Sequence, residues 1–196
     1  MRTSRLEAFS DGVLAIVITV MVLELKVPEE PTLRALSGSA TGFLTYSLSF
    51  VYIGIYWSNH HHMFQVVERV NGSVLWANLH LLFWLSLFPF TTAWVDETTY
   101  ARTPVVVYGV NLLLAAVAYY VLQQVIFRGP GGSGLREALG SDLKGKASPF
   151  LYLSGIVLAF VTPWVAIAVY TGVAIMWLVP DRRVERYLAA REATSA

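Results

Sequence analysis

Long blocks of apolar residues, broken by short polar segments, run along this chain. Within a block there is neither the alternation of a half-buried strand nor the polar face of a surface helix. A helix that crosses a bilayer needs about 20 mostly apolar residues. The blocks predict spans over roughly residues 7–26, 40–64, 74–95 and 104–127. The last tract, Pro149 to Val179, is long for one span and short for two. Pro163 lies near its middle, has no N–H and clashes with the preceding turn. The tract is read as two short helices, 149–162 and 163–179, with Trp164 at the bend; one kinked span is the alternative. The expected fold is thus an all-α integral membrane protein, a single six-helix domain over residues 1–196.

Charge placement favours six spans over five. With the N-terminus in the cytoplasm, six spans put Arg2, Arg5, Arg69, Arg128, Arg136, Lys144, Lys146, Arg182, Arg183, Arg186 and Arg191 inside. Only Lys26, Arg34 and Arg102 fall outside, with Glu29, Glu30, Asp96 and Glu97. Five spans would export the four C-terminal arginines, against the positive-inside rule. Both termini are therefore expected in the cytoplasm of a multi-pass protein of the cell membrane. Trp57, Trp76 and Trp177 fall near inner ends, and Trp94 and Trp164 near outer ends, as an aromatic belt would. The segment from Gly129 to Gly134 reads as a flexible linker; no strand precedes it and no Walker lysine follows. The first span carries Asp11 and Glu24 and lacks a small-residue cleavage site, so it is expected to stay in the mature protein.

Composition narrows the chemistry. Hydrophobic residues make up 56% and charged residues 14%, which excludes a disordered or nucleic-acid-binding chain. The absence of cysteine excludes disulfides, thiolate metal sites and a cysteine nucleophile.

The first span breaks the local rules. Asp11 and Gly12 sit side by side two residues before an apolar run. A carboxylate in mid-bilayer costs about 2.5–3.5 kcal/mol on insertion scales, less near an interface. As a structural device, Asp11 is an interfacial anion near a helix N-terminus and Gly12 a point of close packing. Val13, Ile16, Val20 and Leu23 form one apolar stripe, and Thr19 is the lone hydroxyl between Val13 and Leu23. An isolated Thr commonly bonds back to the carbonyl four residues earlier.

His60, His61 and His62 are adjacent, so their rings point about 100° apart, and a metal would meet one or two of them. His80 could add another ligand, but no carboxylate pattern supports such a site. Hydrogen bonding between helices is the simpler use. Trp57, His60 and Phe64 share a face, with Asn78 as a partner at the same level. Pro89 predicts a kink, with Ser86 near enough to help satisfy the freed carbonyl.

These segments together resemble one family. Arg5, Phe9, Ser10, Asp11 and Gly12 reproduce the RxxxFSDG signature of the transmembrane protein 175 family, endolysosomal potassium channels in animals with single-repeat homologues in bacteria. Trp57-x-x-His60-His61-x-x-Phe64 looks like its second-helix pattern, and Asn78 through Pro89-Phe90 like its third. The resemblance covers roughly residues 5–95. It implies a homotetramer whose central pore is lined by helix 1, a constriction at Ile16, a hydroxyl at Thr19 tied to selectivity, and further lining by Val20 and Leu23. It also implies that Arg5, Ser10 and Asp11 brace helix 1 through partners among His60, Asn78 and Trp76, with Trp57 in the same network. The implied partners are further copies of the chain, the lipid bilayer and permeating potassium, without a resident cofactor.

The chain lacks a TVGYG filter: Val107-Tyr108-Gly109 lies inside an expected span. Selectivity from carbonyl rings is therefore not expected, and a narrow apolar constriction remains. Two other classes compete with a potassium-preferring channel. One is a proton-coupled secondary transporter using Asp11 and a histidine; such a protein would want inverted repeats, and none is seen. The other is a haem or metal enzyme built on His60 and His80.

Overall fold

The computed structural model describes residues 3–65, 67, 70–129 and 143–178. The glycine-rich segment 130–142, Arg2, Arg69, Arg136, Val179 and the C-terminal Arg182, Arg183, Arg186 and Arg191 lie outside the described residues.

Every regular element among the described residues is a helix. The order is α1 (Thr3–Leu23), α2 (Leu33–Gly38), α3 (Ala40–Gln65), α4 (Gly72–Ser86), α5 (Phe88–Glu97), α6 (Arg102–Phe127), α7 (Leu143–Ala159) and α8 (Pro163–Leu178). Helix α1 starts earlier and stops sooner than the apolar run predicts. Pro28 disfavours helical backbone just ahead of it, and the last N–H bonds, from Glu24 and Leu25, are long at 3.3 Å.

Among the described residues, three stretches are long and apolar enough to cross a membrane: Thr3–Leu23, the α4–α5 unit Gly72–Glu97, and Arg102–Phe127. Helix α3 is as long as α6 yet falls short on hydropathy. Thr45, Ser49, Tyr52, Tyr56 and His60 line one side of it, and that side is buried. The Thr45 hydroxyl meets the Tyr100 hydroxyl at 2.6 Å, and Ser49 meets Thr92 at 2.7 Å and Tyr108 at 3.0 Å. Tyr52 donates to the carbonyl of Tyr170 at 2.6 Å. In lipid, apolar burial drives little helix association, and such contacts with close packing do that work.

Helix α4 opens on Asn71, whose side chain caps the N–H of Val74 at 3.0 Å. The break between α4 and α5 falls at Leu87, two residues before Pro89. The N–H of Leu87 bonds to Trp84, which bypasses the carbonyl of Phe83; the Ser86 hydroxyl takes that carbonyl at 2.8 Å. Ser86 thus repairs the kink, at a carbonyl two residues before the one at Leu85 that Pro89 itself frees.

Helix α6 is the axis of the bundle, packed on α4, α5, α7 and α8, with Val105, Tyr108, Leu112, Ala115, Ala118 and Leu122 fully buried. The tract after residue 142 turns back at 160–162. The Trp177 indole donates to the Ser148 hydroxyl at 2.8 Å, so the end of α8 lies beside the start of α7 and the two run antiparallel. Tyr170 wedges between Gly109 of α6 and Gly155 of α7; a Cβ at either glycine would collide with it.

Between α5 and α6 the chain closes with Tyr100 N–H on the carbonyl of Val95 and Thr99 N–H on that of Asp96. That is a Schellman closure, and it places Thr99 (φ 50°) and Tyr100 (φ 59°) in the left-handed region. The Tyr100 ring stacks on Trp164 at 4.4 Å and its hydroxyl reaches the Thr41 carbonyl at 3.0 Å, contacts that hold the strained backbone in place.

Helix α1 packs on α3, α4 and α5 and stands at one edge of the chain.

Candidate functional site

Helix α1 has two unlike sides. Leu6, Ser10, Leu14, Val17 and Met21, spaced by four, four, three and four, are buried against the bundle. On the other side Phe9, Gly12, Ala15, Ile16, Thr19, Val20 and Leu23 are exposed. Ile16 is 65% exposed and Leu23 76%, an apolar surface open to lipid or to a further copy of the helix. A Cβ at Gly12 would meet nothing within 4 Å in this chain.

The buried side is fixed by a directional chain of hydrogen bonds near the N-terminal end. Asn78 on α4 donates from Nδ2 to the Ser10 hydroxyl at 3.0 Å, and that hydroxyl donates onward to the carbonyl of Leu6 at 2.9 Å. The remaining side-chain oxygen of Asn78 accepts from His60 Nε2 at 2.8 Å, which sets the histidine tautomer. All three side chains are buried, so α1, α3 and α4 are joined through groups that have no competing water. His60 also packs its ring on Phe64 with centroids 4.6 Å apart.

A second, more exposed row lies beside the first. The Trp57 indole donates to Asp11 Oδ1 at 3.0 Å. His61 lies nearly parallel to Trp57, with ring centroids 6.3 Å apart and planes 13° apart. Its Nδ1 is 3.6 Å from Glu7 Oε1, and Gln65 bonds its other nitrogen at 3.0 Å.

Two of the three expected bracing residues find partners in this network. Ser10 and Asp11 do; Arg5 is exposed, with neither hydrogen bond nor ion pair to a described residue. Trp76 does not enter the network. It is 76% exposed, because two residues along a helix is about 200° and Asn78 faces α1. The indole that meets Asp11 is Trp57. Gly12 does not pack a helix of this chain. The Thr19 hydroxyl donates to the carbonyl of Ala15 at 2.8 Å, the back-bond expected of an isolated threonine.

Asp11 and His60, the carboxylate and imidazole that a proton relay would pair, have different partners, Trp57 and Asn78. His80, offered as a second metal ligand, instead accepts from Trp84 on its own helix at 3.0 Å.

A groove of about 910 Å³ runs between α1 and α5, lined by Val13, Ile16, Val17, Val20, Ser86, Pro89, Phe90, Ala93 and Trp94, with Glu24 and Glu97 at one end. Its α5 wall begins just after the break at Leu87. No feature of the sequence pattern announced this groove, since the apolar stripe alone does not say which of its residues lie open.

Comparison with known proteins adds four findings. The profile of the family described as endosomal/lysosomal potassium channel TMEM175 matches residues 5–89. A potassium channel of Chryseobacterium sp. (strain P1-3) is 53% identical over 189 residues, 96% of this chain and 98% of the relative. The human endosomal/lysosomal proton channel TMEM175 is 32% identical over 112 residues, 51% of this chain and 22% of that longer one. Among solved structures, a lysosomal potassium-selective channel TMEM175 homolog from Chamaesiphon minutus superposes with a TM-score of 0.77 at 32% identity, covering 90% of this chain and 96% of the other.

Proposed function

The chain belongs to the TMEM175 family, and from that membership we propose that it is a potassium-preferring cation channel, assembled as a homotetramer around α1. The observation that carries the assembly is the uncovered apolar side of α1: Ile16, Thr19, Val20 and Leu23 stand opposite the edge that the bundle buries. Several copies of one helix can enclose a path that a single copy cannot. The exposed Gly12 gives those copies a place of close approach.

In this reading α1, α3, the α4–α5 unit, α6, α7 and α8 make six crossings of the cell membrane, with both termini cytoplasmic. The narrowest point is Ile16, extended by Val20 and Leu23. Four apolar side chains around an axis offer a cation nothing in place of its hydration shell, so the ring closes by dewetting and opens by widening. Thr19 supplies the oxygen for partial dehydration. Its proton is committed to Ala15, which leaves the lone pairs free to face a cation. A device of this kind discriminates potassium from sodium modestly. The Ser10, Asp11, Trp57, His60 and Asn78 contacts position α1 and do not touch the ion.

The test is a planar-bilayer recording of the purified protein. Unitary currents with a reversal potential shifted toward potassium are expected. Ion flux without resolvable unitary events would replace the channel with a transporter.

A further inference from the structure

A cavity with no part in the proposed ion path lies between α3, α6, α7 and α8. It has a volume of about 40 Å³. Its walls come from matching helix faces: Tyr56 and Asn59 of α3, Tyr119 and Gln123 of α6, Ser148 of α7 and Trp177 of α8. Most polar groups there are already bonded. Asn59 Nδ2 donates to the carbonyl of Ile55 at 2.8 Å, Tyr119 donates to the carbonyl of Asn59 at 3.3 Å, and Trp177 donates to Ser148 at 2.8 Å.

Two are not. Gln123 is 5% exposed and Tyr56 8%, and neither side chain hydrogen-bonds a described residue. Leaving such a group dry costs about 1–3 kcal/mol. The two line the same cavity, which makes one shared partner an economical answer.

Size selects the partner. The volume matches one or two water molecules at about 30 Å³ each, and it is far below the roughly 150 Å³ that admits a benzene ring. We propose that this cavity is a hydration site in which one or two ordered waters join the Gln123 amide of α6 to the Tyr56 hydroxyl of α3. The site fastens α3 to the α6–α8 core within a turn of Trp57 and His60, the residues that hold α1. It stands independently of the channel reading, since it concerns the fold of one chain.

The sign of two substitutions tests it. Gln123→Met and Tyr56→Phe keep volume and remove one polar group each. With water bound, each strands the water or the other polar group, and the melting temperature of the detergent-solubilised protein falls by about 2–4 °C. The double variant removes both ends of the bridge and melts no lower than the worse single one, because the two groups share a partner. A rise in melting temperature in either single variant means a dry cavity and overturns the proposal. So does a double variant whose loss equals the sum of the two. Should the variants not fold, a high-resolution structure of the parent decides. Density for water within hydrogen-bond reach of Gln123 and Tyr56 is expected; an empty site, or the elongated density of a lipid or detergent chain, refutes it.

Discussion

The Trp57 indole and the Asp11 carboxylate, 46 residues apart in the chain, meet at 3.0 Å and tie α3 to the first turns of α1. An N–H donor on an ionised acceptor is among the stronger hydrogen bonds, and here it holds a charge that lipid would not. Asp11→Ala is expected to lower the yield of folded oligomer or to disturb gating more than it changes ion preference. Trp57→Phe should reproduce the effect from the other side. Size-exclusion profiles and reversal potentials of both variants measure this. A fully stable Asp11→Ala oligomer with a shifted potassium-to-sodium ratio would make Asp11 an ion ligand instead.

Asn78 is bonded on both sides, to Ser10 and to His60, whereas Ser10 accepts from a single neighbouring helix. Asn78→Leu leaves the buried His60 N–H without its acceptor and takes from Ser10 its inter-helix donor, and should cost about 1–3 kcal/mol. Ser10→Ala removes one inter-helix contact and should cost nearer 0.6 kcal/mol, an average value for such contacts in membrane bundles. Chemical unfolding in detergent orders the two; equal losses would mean that the His60 bond contributes nothing.

How much of this was legible beforehand depends on the kind of contact. Helix positions follow from apolar run length, which is a local property, and Pro89 and Pro163 mark breaks for a local reason. The bond between His60 and Asn78 was readable because both residues are polar where lipid offers no partner. The wrong tryptophan was also readable in principle: Trp76 cannot share the face of Asn78. What no local pattern carries is which side of an all-apolar helix is buried. Leu14 and Ile16 differ little as residues, yet one is 3% exposed and the other 65%. The Tyr170 wedge is equally hidden, since Gly109 and Gly155 lie far from it in sequence.

Ile16→Asn is expected to wet the constriction, raising basal conductance and reducing discrimination. Single-channel recording beside the parent checks it. Unchanged conductance in intact oligomers would move the gate off α1.

Thr19→Val removes an oxygen and nearly preserves shape. Potassium preference should fall while closure is little affected, as read from reversal potentials in mixed potassium and sodium. An unaltered preference would strip Thr19 of its assigned part.

Gly109→Ala and Gly155→Ala should each destabilise the bundle by about 1–3 kcal/mol through overpacking against Tyr170. They should respond differently to a second change. At Gly109 the added methyl meets the Tyr170 hydroxyl, which has no hydrogen-bond partner among the described residues, so Tyr170→Phe should rescue it in part. At Gly155 the methyl meets the ring edge, and the same change should not help. Melting temperatures of the four variants settle the comparison.

The polar side of α3 bears on how the protein is made. Ser49 waits for Thr92 and Tyr108, which follow 43 and 59 residues later, and Tyr52 for a carbonyl 118 residues later. A ribosome delivers α3 long before those partners exist. A segment so rich in unanswered hydroxyls has a weak claim on the lipid and a reason to linger at the insertion machinery. Biogenesis of this chain then has an order built into it: α1 can enter alone, while α3 commits to the bilayer only as α4 through α8 arrive to receive it.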